Sequence, residues 1–201
     1  MKIVLASGNA GKLRELAAIL APLGHELIAQ STLKIETPPE TGTTFIENAL
    51  LKARHAAAAS GLPALADDSG IEVDALGGRP GVYSARYAGE HATDRENLDR
   101  MLAELGGVEP ERRTARYRCV IVLTSNASDA NPLIAEGTWE GRILTAPKGT
   151  GGFGYDPIFQ PEGLAVTAAE LPADEKNARS HRGQALRALG AKLKSPQTPD
   201  G

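Results

Sequence analysis

Two carboxylates stand side by side in Ala66-Asp67-Asp68-Ser69-Gly70. Neighbouring side chains of an extended chain point to opposite faces, so one aspartate reaches a ligand while the other anchors the turn. Beside a phosphate, such a carboxylate binds Mg²⁺ or takes a proton from a water. Mg²⁺ keeps several waters and needs only one or two protein carboxylates, and Glu40, in a Thr- and Pro-rich loop, supplies a second. The plainer alternative is an Asp-Asp-Ser-Gly turn closed by Asx hydrogen bonds.

Three further segments carry chemistry of a matching kind. In Ser7-Gly8-Asn9-Ala10-Gly11-Lys12, two glycines turn backbone amides toward a ligand at the start of a helix, and Lys12 adds a counter-charge, which suits a phosphate. It is not a Walker loop: Ala6 stands where that motif needs its first glycine, and Leu13 where it needs Ser or Thr. Gly149-Thr-Gly-Gly-Phe-Gly-Tyr-Asp156 matches G-x-G-x-x-G, but Pro157 follows and no helix opens there. Its glycines let the backbone close over a planar ligand, with Phe153 stacking on a base and Tyr155 and Asp156 supplying polar edges. A flexible hairpin turn is the other reading. Finally, Lys176 precedes Ser180-His181-Arg182-Gly183. Ser180 is a good N-cap, which puts His181 and Arg182 in a helix's first turn, where cations oppose the dipole unless an anion is bound nearby. Two glycine loops, helix-start cations and a carboxylate pair are the parts expected around a nucleotide polyphosphate held with Mg²⁺.

The elements that must position these residues follow from periodicity. Lys2–Ala6 reads as a buried strand, Leu13, Leu16, Ala17 and Leu20 as a helix face, and Glu26–Gln30 as a second strand. That βαβ opening favours an α/β protein with parallel pairing. Residues 32–43 are a loop. Thr44 and Glu47 form a capping box for a helix running to about Ser60, on which Asn48, Lys52 and His55 share a polar face. Short strands at 64–66 and 71–73 flank the Asp-Asp turn. Thr93–Leu105 is a helix, Thr114–Ser125 a central strand, 133–135 and 138–144 hairpin partners, and Ser180–Leu193 a last helix. Residues 195–201 carry no periodic signal and are expected to be disordered.

Composition narrows the function classes. A chain of 201 residues, 41% hydrophobic and 23% charged, suits one ordinary globular domain or two small lobes sharing a core. A net charge of −3 and 4% aromatic residues argue against a nucleic-acid coat or a base-stacking platform along a single strand. One cysteine, Cys119, forms neither an internal disulfide nor a cysteine zinc site, and it lies in an apolar run that reads as core. His25, His55 and His91 lack metal-like spacing. No run approaches the roughly 18 apolar residues of a membrane span and no targeting segment opens the chain, so a cytoplasmic protein is expected.

The motifs occur in a recognisable order: Ser7–Lys12, Thr41-Gly-Thr-Thr-Phe-Ile-Glu-Asn-Ala49, Ala66–Gly70, Gly81-Val-Tyr-Ser-Ala-Arg-Tyr87, Gly149–Pro157 and Ser180–Gly183. With them the chain closely resembles the non-canonical purine nucleoside triphosphate pyrophosphatases, which hydrolyse dITP, ITP and XTP, over residues 1 to about 193. The resemblance implies an α/β fold with an elongated central mixed β-sheet flanked by helices, and two lobes with the active-site cleft between them. Residues 1–194 would form that single two-lobed domain. It further implies a homodimer with one Mg²⁺ per subunit. By the same resemblance Ser7, Gly8, Asn9, Ala10, Gly11 and Lys12 form the phosphate loop, and Asp68 is proton acceptor and metal ligand. Glu40 is associated with the metal, Pro39 standing where the family often has another acid. Lys52 contacts phosphate, Ser69 touches substrate, and Phe153, Gly154, Tyr155, Asp156, Lys176, His181 and Arg182 bind the nucleoside. Two rivals share the features: a nucleotide sensor without turnover, and relatives acting on modified pyrimidines or dTTP.

Overall fold

A computed structural model describes residues 1–7, 13, 16–17 and 20–194. Six strands form one mixed sheet in the order β2-β1-β3-β4-β5-β6: β1 Lys2–Leu5, β2 Glu26–Ala29, β3 Ala64–Val73, β4 Thr114–Thr124, β5 Leu133–Ile143 and β6 Phe159–Pro161. Strand β1 lies parallel to β2, with Lys2 opposite Glu26 and Leu5 opposite Ala29, and parallel to β3, with Val4 opposite Ala64. Strand β6 runs antiparallel to β5, with Gly141 opposite Pro161. Among the described residues, four helices with both ends defined accompany the sheet: α1 Phe45–Ser60, α2 Asp94–Glu104, α3 Ala173–Arg179 and α4 His181–Lys194.

The chain divides into two compact units. The first comprises the described residues of Met1–Asp68, Val120–Glu136 and Ala185–Gly201, and the second Ser69–Cys119 and Gly137–Gln184. In the first unit α1 packs on β1. Its capping box closes as expected, the Thr44 hydroxyl accepting from the Glu47 amide while the Glu47 carboxylate accepts from the Thr44 amide. Small side chains line its inner face: Ala49, Ala53, Ala56 and Ala57 are all buried. The helical spacing before Pro22 holds at Leu13, Leu16, Ala17 and Leu20, of which Leu16 and Leu20 are buried. The core of the second unit gathers Ile71, Val73, Leu98, Met101, Leu105, Tyr117, Trp139, Ile143 and Phe159.

Two sequence expectations need correction. Asp67-Asp68-Ser69-Gly70 is no turn between two short strands, because β3 runs unbroken through it. The strand is buried along nearly its whole length, and the Asp68 carboxylate takes donors from α1 rather than from its own backbone. Residues 133–135 and 138–144 are likewise one strand, β5. Ala135, Gly137 and Trp139 are buried while Glu136 and Glu140 are exposed, so the two-residue period survives the glycine. On α1, Asn48, Lys52 and His55 share one face as expected, the first two buried and His55 exposed. The tail, 195–201, lies outside the described residues.

Candidate active site

Helix α1 begins at a fixed cap, and i, i+4 spacing then places Asn48 and Lys52 one above the other. Both meet β3. Lys52 Nζ donates to Asp68 Oδ1 at 3.0 Å and to Glu40 Oε1 at 2.7 Å. Asn48 Nδ2 donates to Asp68 Oδ2 at 3.2 Å. Asp68 thus receives one donor on each oxygen from consecutive turns of one helix. Burial pushes the Asp68 carboxyl up and Glu40 adds to the rise; Lys52 and Asn48 pull it down, and the result stays above the usual 3.8. For Lys52 burial pulls down, but Asp68, Glu40 and Asp67 together hold the ammonium above its usual 10.5. The charged lysine and the upward-shifted carboxyl are compatible, since one cation serves several acids.

Glu40 and Asp68 offer carboxylate oxygens, which are hard donors. Among the described residues no three His, Cys, Asp or Glu side chains assemble as a metal cage. Two acids gathered around one ammonium fit a small hard cation that keeps most of its waters, since an ion of that kind needs no more than one or two protein oxygens. Ser7 is half-buried just past β1, while Gly8, Asn9, Ala10, Gly11 and Lys12 lie outside the described residues.

The second unit brings together the other predicted residues. Arg182 donates to Ser69 Oγ at 3.3 Å. Phe153 is 56% exposed, with Lys176 Nζ 4.5 Å and the Arg182 guanidinium carbon 5.9 Å from its ring centre, within reach of cation–π attraction. The loop that presents this ring is held by two acids. Asp156 Oδ2 accepts from the Phe153 amide at 2.9 Å and pairs with Lys176, and Asp94 Oδ2 accepts from the Gly154 amide at 2.7 Å. Gly152 has φ +72°, and a Cβ there would sit 2.1 Å from Asp156 Oδ2. Only glycine lets the loop pass so close.

Tyr155 and Asp156 were expected at polar edges, and both are buried. Tyr155 donates to the Ser84 carbonyl at 2.7 Å, and Tyr117 donates to Asp156 Oδ1 at 3.4 Å. Burial pushes the Tyr117 hydroxyl well up, with Asp156 adding to the rise, so it stays a donor. His181 stacks on Tyr117 at 4.7 Å and 7° between planes. Ser180 caps α4, its hydroxyl accepting from Gly183 at 3.2 Å, which leaves His181 and Arg182 in the first turn as expected. Sequence reasoning gave no role to Asn48, Tyr117 or Asp94. Asn48 was legible as the residue one turn before Lys52, whereas Asp94 reads as an ordinary first-turn acid and its partner is 60 residues away.

Comparison with known proteins gives a consistent result. A Methylococcus capsulatus protein named dITP/XTP pyrophosphatase is 58% identical over 194 residues, covering 96% of each chain. A Shigella flexneri protein of the same name is 57% identical, covering 94% of this chain and 95% of its own. A solved HAM1 protein from Coxiella burnetii superposes with a TM-score of 0.93 at 50% identity, covering 96% of this chain and 98% of its own. The Ham1 family pattern matches residues 3–192, and the chain belongs to the Ham1 family.

Proposed function

We propose that this chain hydrolyses ITP, dITP and XTP to the nucleoside monophosphate and pyrophosphate, clearing deaminated purines from the nucleotide pool. The observation that carries the reading is the Glu40–Lys52–Asp68 cluster, in a family whose similar members are named dITP/XTP pyrophosphatase. Glu40 and Asp68 would hold Mg²⁺, one per subunit, which would supply charge neutralisation for the phosphates. Lys52 adds its own positive charge there, and residues 7–12 form the phosphate loop. Asp68 orients a water and accepts its proton. The water oxygen bonds to the α-phosphorus in line, and the bond from that phosphorus to the bridging oxygen breaks, releasing pyrophosphate. Lys52 on Oδ1 and Asn48 on Oδ2 hold the Asp68 carboxylate in one orientation, which supports this assignment.

On the second unit, Phe153 stacks on the purine while Lys176, His181 and Arg182 offer donors to its polar edge, with Ser69 touching substrate. Asp156 and Tyr155 hold the loop in shape. Donors facing a 6-oxo group are left unpaired by adenine's 6-amino group, at about 1–3 kcal/mol each. Residues 1–194 act as one catalytic domain, and the working form is a cytoplasmic homodimer. Among the described residues no helix is long and apolar enough to cross a membrane.

The test is pyrophosphate release from ITP, dITP, XTP, GTP and ATP with and without Mg²⁺. A preference for the deaminated purines over ATP of at least about a hundredfold, the scale of two unpaired donors, is expected. Comparable rates on all five, or unchanged rates after chelation, contradict the reading.

A further inference from the structure

We propose that Asn48 is a positioning residue of this site, its buried amide locking the Asp68 carboxylate and the Glu40 loop to one turn of α1. Asn48 has no exposed surface. Its Oδ1 accepts from the Gly42 amide at 2.8 Å while its Nδ2 donates to Asp68 Oδ2 at 3.2 Å. The orientation is forced, because a backbone N–H can only donate, so the amide oxygen faces Gly42 and the NH₂ group faces the carboxylate. A buried amide satisfied at both ends resists rotation, since turning it would set two donors against each other and two acceptors against each other.

The two ends serve different parts of the site. At Asp68, Asn48 occupies one oxygen and Lys52 the other, so the carboxylate plane is fixed by two donors. At Gly42, the bond pins the loop two residues after Glu40, whose carboxylate reaches Lys52 from that loop. The fit is close. A Cβ on Gly42 would lie 2.6 Å from Asn48 Oδ1 and 2.7 Å from Glu47 Cβ, so glycine is required here for space. The helix start is itself held, because the Glu47 carboxylate accepts from the Thr43 and Thr44 amides. Under the proposed mechanism Asn48 acts through the Asp68 carboxylate rather than on the substrate or the attacking water. It sets where Asp68 and Glu40 stand, as groups behind a reactive residue do when their loss lowers activity by about 10–100-fold.

The inference rests on the pyrophosphatase reading for its kinetic arm, and a second arm is independent of it. In Asn48→Ala, kcat for ITP falls about 10–100-fold with KM within about threefold of wild type. Gly42→Ala attacks the same bridge from its other end, carries the test if Asn48→Ala fails to fold, and gives the same kcat loss. Its added methyl displaces Asn48 and also meets Glu47 Cβ, so the two kcat losses combine to less than their sum in the double variant. A merely structural role would lower the melting temperature and leave kcat of the folded protein unchanged. Hydrogen exchange of the Gly42 amide, followed by NMR without nucleotide or metal, should quicken at least about tenfold in Asn48→Ala. Wild-type kcat in either variant, additive losses in the double variant, or an unchanged Gly42 exchange rate overturns the role of Asn48. Failure of the wild type on ITP would instead overturn the functional reading, with Gly42 exchange still judging the bridge.

Discussion

The two units hold their functional residues in opposite ways. In the first, Asp68 and Lys52 come from a strand and a helix, both are buried, and the Lys52 ammonium is paired with both Asp68 and Glu40. In the second, Phe153 stands 56% exposed on a glycine loop, with cations over its ring and its backbone amide tied to Asp156. Chemistry on a phosphate needs charges whose positions do not relax, which buried donors on regular elements provide. Recognition of a planar base needs an open apolar face, which a buried ring cannot offer. Under the proposed function the first region would govern rate and the second binding and choice of substrate.

The largest effect expected from breaking this contrast is at Asp68. Asp68→Asn keeps shape but removes charge and basicity, and pyrophosphate release should fall by roughly 10²–10⁴. Stability should move the other way. Because the folded Asp68 carboxyl lies above 3.8, its ionisation opposes folding: that contribution is intact below the unfolded value and is lost as pH rises through the folded one. Asp68→Asn removes this loss, so its melting temperature relative to wild type improves as pH rises from 4 toward 7. A sharp drop in melting temperature at neutral pH would show instead that the Lys52 pairing outweighs the burial of the acid.

Lys52→Met is expected to destabilise the fold at neutral pH, toward the low end of about 3–5 kcal/mol because Glu40 keeps 26% of its side chain in solvent. In the wild type, the raised Lys52 contributes stability that is complete below 10.5 and lost as pH climbs through its folded value. The deficit of Lys52→Met should therefore shrink at alkaline pH, and also at acid pH where the two carboxyls become neutral. A deficit independent of pH in denaturant titrations would point to lost packing alone.

Much of this was legible in the sequence. The Thr44/Glu47 cap, the Ser180 cap and the helical spacing of Lys52 follow from local rules, and the structure has each of them. The Asp-Asp segment misled because Asp, Ser and Gly are turn formers, and nothing local signals that donors 16 and 20 residues away satisfy Asp68 within a strand. The break in β5 misled for the opposite reason: Gly137 weakens a strand, but the alternation through Ala135, Gly137 and Trp139 was already in the sequence. Asp94 and Asn48 were missed as contributors because their partners are a backbone amide across a loop and a carboxylate on another element. Tertiary hydrogen bonds of that sort leave no periodic trace.

The smallest expected effect is at the exposed ring. Phe153→Ala should raise KM for ITP and XTP alike, by about 5- to 100-fold as one lost base–aromatic stack, with kcat and melting temperature close to wild type. A fall in kcat instead of a rise in KM would mean that the loop takes part in the chemistry.

The division of labour is tested most directly by the ratio of kcat/KM for ITP to that for ATP, measured in the wild type, Asp68→Asn and Arg182→Met. The account predicts that Asp68→Asn slows both substrates by the same factor and leaves the ratio within about threefold of wild type, whereas Arg182→Met lowers the ratio at least about tenfold. A ratio that collapses in Asp68→Asn, or one that survives intact in Arg182→Met, would contradict it.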